Sequence, residues 1–177
     1  MAHSNKKKKH AIFFVEGETE KFLLNDFKKR DKDPIKRIIK INLWNTDVKK
    51  ILPNLTEVND IVIVFDTDLK QGIERFNKNI DAILARNHNV YLLQQTDNFE
   101  QELVYSCQCS KKTLFDEFCK KIVSADNFKN SFIKCSTRLD KLNSLGFSKG
   151  RLWCREIIDE LKHQKIRKSS YLNLFGD

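Results

Sequence analysis

From His10 to about residue 95 the chain alternates between short continuous apolar runs and longer stretches of helical periodicity. Ala11–Val15 is apolar at every position, as suits a strand buried on both faces. Thr19–Lys29 places Phe22, Leu23 and Phe27 at amphipathic-helix spacing, and Asp33-Pro34 ends it. Ile35–Leu43 reads as a second strand, with Lys36, Arg37 and Lys40 putting it towards a sheet edge. Asp47–Leu55 has helical character that Pro53 keeps short. Asp60–Phe65 is the most β-branched run of the chain. Gln71–Arg86 then repeats Ile73, Phe76, Ile80, Ile83 and Leu84 at helical spacing. After a turn at Asn87-His88-Asn89, Val90–Leu93 is a fourth strand. Beyond it the rhythm changes, and Glu100–Tyr105, Lys112–Val123, Thr137–Leu142 and Leu152–His163 are expected to be helices.

Strand–helix alternation predicts a parallel sheet joined by right-handed crossovers. The expected fold class is α/β, with a Rossmann-like parallel four-stranded sheet flanked by helices and a helical C-terminal extension. Residues 1–9 are expected to form a disordered basic arm because they offer nothing to bury. Residues 10–95 form the core of this reading, and 96–177 an extension packed on it.

Charge alters the picture more than length does. The formal net charge is +9, and Lys6 to Lys9 account for four of those charges. The rest of the chain therefore stays moderately basic, which suits an anionic partner such as nucleic acid. Cys107, Cys109, Cys119, Cys135 and Cys154 are odd in number and irregular in spacing, with no histidine at a zinc-ligand interval. They read as reduced, packed thiols. With no leader-like or membrane-length apolar segment in view, a cytoplasmic protein with no membrane association is expected.

The chemistry is concentrated where two apolar runs end abruptly in acids. Ala11–Val15 leads into Glu16-Gly17-Glu18-Thr19-Glu20, and Ile61–Phe65 leads into Asp66-Thr67-Asp68. Ligands of open α/β sheets bind outside the carboxyl ends of parallel strands. Acids gathered there repel one another unless a cation sits between them, and an all-oxygen set suits Mg²⁺. If the chain stays extended, Asp66 and Asp68 share one face and reach one ion. Gly17 is expected to allow a tight turn with unusual backbone angles. Glu20 lies one helical turn beyond Glu16, so both can point over the sheet edge, whereas Glu18 is expected to favour the helix N-terminus and face solvent.

An apolar strand ending in Glu-Gly, a helix, and a second apolar strand ending in Asp-x-Asp resemble the signature of the Toprim domain. Toprim is the metal-binding catalytic module of topoisomerases, bacterial primases, RecR-type proteins, OLD-family nucleases and small ribosomal-RNA maturases. The resemblance covers about residues 10–95. It implies that Glu16 serves acid–base chemistry or metal ligation and that Asp66 and Asp68 bind Mg²⁺ or Mn²⁺. Val15-Glu16-Gly17-Glu18-Thr19-Glu20 looks closest to the OLD-like and RloB-like branch, where a further acid, here Glu20, can help to hold a second ion. Asp97-Asn98-Phe99-Glu100 resembles an Asn-Pro-x-Phe-Glu element of RloB-like proteins without its proline. That makes Glu100 a candidate ligand, with Glu102 as the fallback.

The expected activity is metal-dependent hydrolysis of phosphodiester bonds in nucleic acid, with RNA slightly favoured over DNA by analogy. The resemblance implies a role in phage defence. The ATPase that accompanies many OLD-type enzymes has no Walker motif here and would be a separate protein partner. Lys149 and Arg151, beside Gly146 and Gly150, are the candidates for stabilising charge at the phosphate, with Arg138 behind them. Trp44 and Trp153 could stack on a base, although packing suits both better. Two other classes remain open. One is a non-catalytic Toprim-like nucleic-acid-binding or adaptor protein. The other is a phosphatase-like domain with Asp66 as nucleophile.

Overall fold

Every residue of Ala11–Val15 (β1) is buried, because this strand lies in the middle of a sheet with a layer of side chains on each face. The computed structural model describes residues 10–55, 57–68, 72–119, 124–161 and 166–175. The basic run Lys6–Lys9 and the end of two expected helices, at Val123 and His163, lie outside these. The helix after β1 runs Glu18–Asp26 (α1) and continues as a π-helical turn, Phe27–Asp31. Lys32, in the left-handed region at φ 58°, terminates it. The chain then enters Ile35–Lys40 (β2), whose exposed basic positions mark it as an edge strand. Asp47–Leu55 forms two short 3₁₀ turns, Val48–Lys50 and Leu52–Asn54, broken as Pro53 leads one to expect. Asp60–Asp66 (β3), Ile73–Leu84 (α2) and Asn89–Gln95 (β4) complete the alternating half.

These strands pair in parallel in the order β2-β1-β3-β4. The chain moves outward from β1 to β2 and then reverses past β1 to β3. The strand order therefore switches between β1 and β3, where a crevice opens at the carboxyl edge. A two-residue strand, Arg167–Lys168 (β5), adds to β4 and was not expected. No helix among the described residues is long and apolar enough to cross a membrane.

Alternation of side chains sorts the core into two layers. Ile12, Phe14, Ile61, Ile63 and Phe65 face α2 and the 3₁₀ turns. Phe13, Val15, Val62 and Val64 face α1 and the C-terminal helices Phe99–Cys107 (α3), Lys111–Phe118 (α4), Ala125–Lys134 (α5) and Arg138–Ser144 (α6). Helices α3 to α6 thus pack on one face, sharing a core with the strands, while Ile157 and Leu161 join the layer on the other face. Helix α5 is not among the helices that the sequence pattern predicts. Its Ser124 cap and the Phe128/Phe132 pair one turn apart are the signals that mark it.

Leu152–His163 is not the helix expected. Its described part is irregular, with one 3₁₀ turn at Asp159–Leu161. Side chains from elsewhere claim the backbone groups that a helix would use. Trp153 N–H donates to Glu102 Oε1 at 2.6 Å, Ile158 N–H donates to Gln94 Oε1 at 2.8 Å, and Gln94 Nε2 donates to the Glu156 carbonyl at 2.8 Å.

Candidate metal and catalytic site

The site is built first from β1. Once the strand leaves the sheet, Glu16 emerges at its carboxyl tip and is held from two directions. Its Oε2 accepts from Asn42 Nδ2 at 3.0 Å, and its Oε1 accepts from the Asp66 backbone N–H at 3.2 Å. Glu20, in the first turn of α1, is almost fully buried and takes a hydrogen bond from Thr19 Oγ1 at 2.9 Å. Gly17 sits at φ −120°, ψ 171°, ordinary extended backbone, so the unusual angles expected there are not found. The glycine is needed for space instead: a Cβ would come within 2.6 Å of Glu20 Oε2. Glu18 turns outward to Lys40 at 2.9 Å and Lys21 at 3.3 Å, and the Lys40 ammonium holds its carboxyl below the usual range.

Asp66 closes β3, directly in register with Gln95 of β4. The Gln95 amide donates to Glu20 Oε1 at 3.1 Å and also to Asp66 Oδ1, bridging the two acids. The chain does not stay extended to Asp68. It bends at Thr67 and Asp68, whose N–H groups both donate to the Asp97 carbonyl, at 3.3 and 3.0 Å. Asp68 is exposed at the mouth of the site, close enough for its charge to bear on both Glu16 and Asp66.

Burial dominates the electrostatics of these acids. Desolvation, aided by the charges of Glu20 and Asp68 against the Asp66 N–H bond, pushes Glu16 up to about 7. Burial, then Glu20 and Glu16, push Asp66 up to about 8. Glu20 is raised by burial as well. A protein that holds several carboxyls at one sheet edge, each made costly to ionise, has prepared a place for compensating positive charge.

Glu100 comes from the first turn of α3, which Asn98 caps by accepting from Gln101 N–H at 3.1 Å. It is buried, and its Oε1 has no hydrogen-bond partner among the described residues. Lys129 Nζ of α5 approaches that oxygen at 3.6 Å, an ion pair beyond hydrogen-bond range. Glu102 faces away, taken up by Trp153 N–H and by Arg155 Nη2 at 2.5 Å. Of the two acids on α3, Glu100 is the one that joins the site. Glu16, Glu20, Glu100, Asn42 and Lys129 line a cleft of about 230 Å³.

Lys149 and Arg151 are not brought to these acids. Lys149 pairs with Asp31 at 2.5 Å and Asp33 at 2.8 Å, at the opposite edge of the sheet, where β2 begins. Arg151 donates to the carbonyls of Ser106 and Gly146, at 2.9 and 2.6 Å. Arg138 is buried against Asp26 and the carbonyls of Phe132 and Ile133. Their positive charge settles loops and helix ends. Among the described residues, Lys129 is the cation brought beside these acids, because α5 lies against α1. Trp44 and Trp153 are both buried, which removes them as stacking platforms.

Comparison with family models, curated proteins and solved structures finds no match. The reading of the site therefore rests on its donors. Glu16, Glu20, Asp66, Asp68 and Glu100 offer carboxylate oxygens only, and Glu100 Oε1 is a buried acceptor lacking a donor. Such a set suits a hard divalent cation. Among the described residues no group of three or more His, Cys, Asp or Glu side chains is arranged to grip an ion as it stands. The neutral Gln95 amide donates to both Glu20 and Asp66, and the Lys129 ammonium stands 3.6 Å from Glu100.

Proposed function

We propose that this protein is a Toprim-class nuclease that hydrolyses phosphodiester bonds in nucleic acid with the help of Mg²⁺ or Mn²⁺. One observation carries the reading: β1, α1, β3 and α3 bring five carboxylates to the carboxyl edge of a parallel sheet, at the point where its strand order reverses. The order of these elements along the chain, with Glu16 after the first strand and Asp66 and Asp68 after the third, supports the Toprim assignment.

In this reading Asp66 and Asp68 would hold one ion, and Glu20 and Glu100 would help to hold a second. Bound there, the ions supply charge to polarise the phosphate and stabilise the leaving oxygen. Glu16, at the tip of β1 beside these acids, would take a proton from the attacking water. Asn42 and the Asp66 N–H fix the direction in which it does so. Lys129 provides the positive charge that faces the phosphate oxygens. RNA stands ahead of DNA only by analogy with small Toprim RNA-processing enzymes.

The test is incubation with labelled RNA and DNA in Mg²⁺, Mn²⁺ or EDTA, beside an Asp66→Asn/Asp68→Asn variant. The expected result is metal-dependent cutting of one nucleic acid that vanishes in the variant. Binding that needs no metal and survives the double substitution, without cutting, would instead make the protein an adaptor.

A further inference from the structure

Gln95 is completely buried at the end of β4, and both polar atoms of its side chain are committed, in three hydrogen bonds. Its Nε2 donates to Glu20 Oε1 at 3.1 Å and to Asp66 Oδ1, while its Oε1 accepts from Trp153 Nε1 at 3.2 Å. An amide of this kind has two orientations, and the surroundings must choose between them. An indole N–H can only donate, so it demands the amide oxygen. A carboxyl oxygen that carries no proton can only accept, and Glu20 Oε1 and Asp66 Oδ1 both lie on the amide N–H₂ side. With Trp153 on one side and two carboxyls on the other, a single orientation satisfies every partner.

We propose that Trp153 and Gln95 form a positioning pair for the acid site, in which the indole N–H locks the glutamine amide so that it holds Glu20 and Asp66 side by side. Trp153 is itself locked. Its backbone sits in the left-handed region at φ 52°, and its N–H is held by Glu102 Oε1 at 2.6 Å. Glu102 also takes Arg155, and the indole packs edge-on against Tyr171 at 5.7 Å. The irregular segment after residue 150 therefore acts on the site through one buried amide. It touches no substrate in this role. Each of the two acids keeps one carboxyl oxygen that Gln95 does not touch, Glu20 Oε2 accepting from Thr19 Oγ1 at 2.9 Å, and these are the oxygens the pair would present to a cation.

The proposal rests on the reading of these acids as metal ligands, so its test has one readout with metal and one without. Mn²⁺ affinity is measured by calorimetry on the full chain for wild type, Gln95→Leu, Trp153→Phe and the double variant, with melting temperatures alongside. In the metal-free proteins the Gln95 side-chain amide resonances are followed by ¹⁵N NMR in wild type, Trp153→Phe and Asp66→Asn. Loss of an outer-shell partner typically weakens a metal site about 10- to 100-fold, and Gln95→Leu is expected in that range. Trp153→Phe is expected to weaken Mn²⁺ binding by about threefold or more but to add nothing in the Gln95→Leu background, because it acts only through that amide. The Gln95 resonances should shift in both single variants. Additive effects on Mn²⁺ affinity, or a Trp153→Phe protein with wild-type affinity and unmoved resonances, would overturn the proposal. A wild type that takes up no Mn²⁺ while its Gln95 resonances still shift in both variants would sink the metal reading and leave the positioning pair standing. No uptake and no shift would sink both.

Discussion

Glu16 Oε1 accepts a hydrogen bond from the backbone N–H of Asp66, 50 positions along the chain, at 3.2 Å. The first acidic motif is thereby oriented by the backbone of the second, and the two strand tips form one site. The link also makes Glu16 a sensitive probe. Glu16→Gln keeps an oxygen for the Asp66 N–H but loses the carboxylate proposed as the proton acceptor. Cleavage should fall by about 100-fold or more, the scale of a lost general base. Nucleic-acid binding should remain and melting should change by only a few degrees. Single-turnover cleavage beside a binding isotherm checks this.

The raised acids make a pH prediction with a definite sign. Glu16 and Asp66 reach about 7 and about 8 in the folded protein, from ordinary values of 4.5 and 3.8. Between those limits the folded state binds more protons than the unfolded one, so these groups make metal-free stability decline as pH rises from about 4 to about 8. Asp66→Asn should flatten that decline, which melting curves at pH 5.5 and pH 8 will show. Mg²⁺ should raise the wild-type melting temperature more at pH 8 than at pH 5.5, because protons compete for the same oxygens.

Gly17→Ala separates the backbone from the site. The extended angles at this position accept alanine, so the fold should lose little. The new Cβ lies 2.6 Å from Glu20 Oε2, and the carboxylate must move. Mn²⁺ affinity and cleavage should each drop by about tenfold or more while the melting temperature stays within a few degrees. A wild-type affinity would show that Glu20 is not a ligand.

The two lysines divide the work between site and scaffold. Lys129→Met removes the cation beside Glu100 and should lower cleavage by about tenfold or more. Lys149→Met leaves Asp31 and Asp33 without their ammonium and strips a cation from the face of Phe27, 4.3 Å away. It should cost about 1–3 kcal/mol of stability, and cleavage per folded molecule should remain. Chemical denaturation and initial rates, measured on the same preparations, distinguish the two.

Apolar runs ending in acids were enough to place β1 and β3 and to name Glu16, Asp66 and Asp68 as candidates, because a doubly buried strand cannot hide its composition. Glu20 came from its helical spacing to Glu16, and Glu100 only from the resemblance of Asp97-Asn98-Phe99-Glu100 to an RloB-like element. The same local reasoning failed for Leu152–His163, where helical spacing lost to distant partners: Glu102 and Gln94 captured the backbone groups. It also misplaced the site's positive charge. Lys149 and Arg151 lie beside glycines in the sequence yet are consumed by aspartates and carbonyls far from the acids. Lys129 reaches Glu100 only because α5 packs on α1.

By itself, then, the sequence determined the four strands β1 to β4, though not β5, and which of them end in carboxylates, and hence which atoms could face a cation. Strand burial and acid placement are properties of a few neighbouring residues, and they survive whatever the rest of the chain does. Only the tertiary structure decided which side chains stand between those acids. Gln95 between Glu20 and Asp66, Trp153 behind Gln95, and Lys129 at Glu100 are contacts across the sheet edge and between layers. Such contacts depend on register and helix packing, which no local pattern encodes.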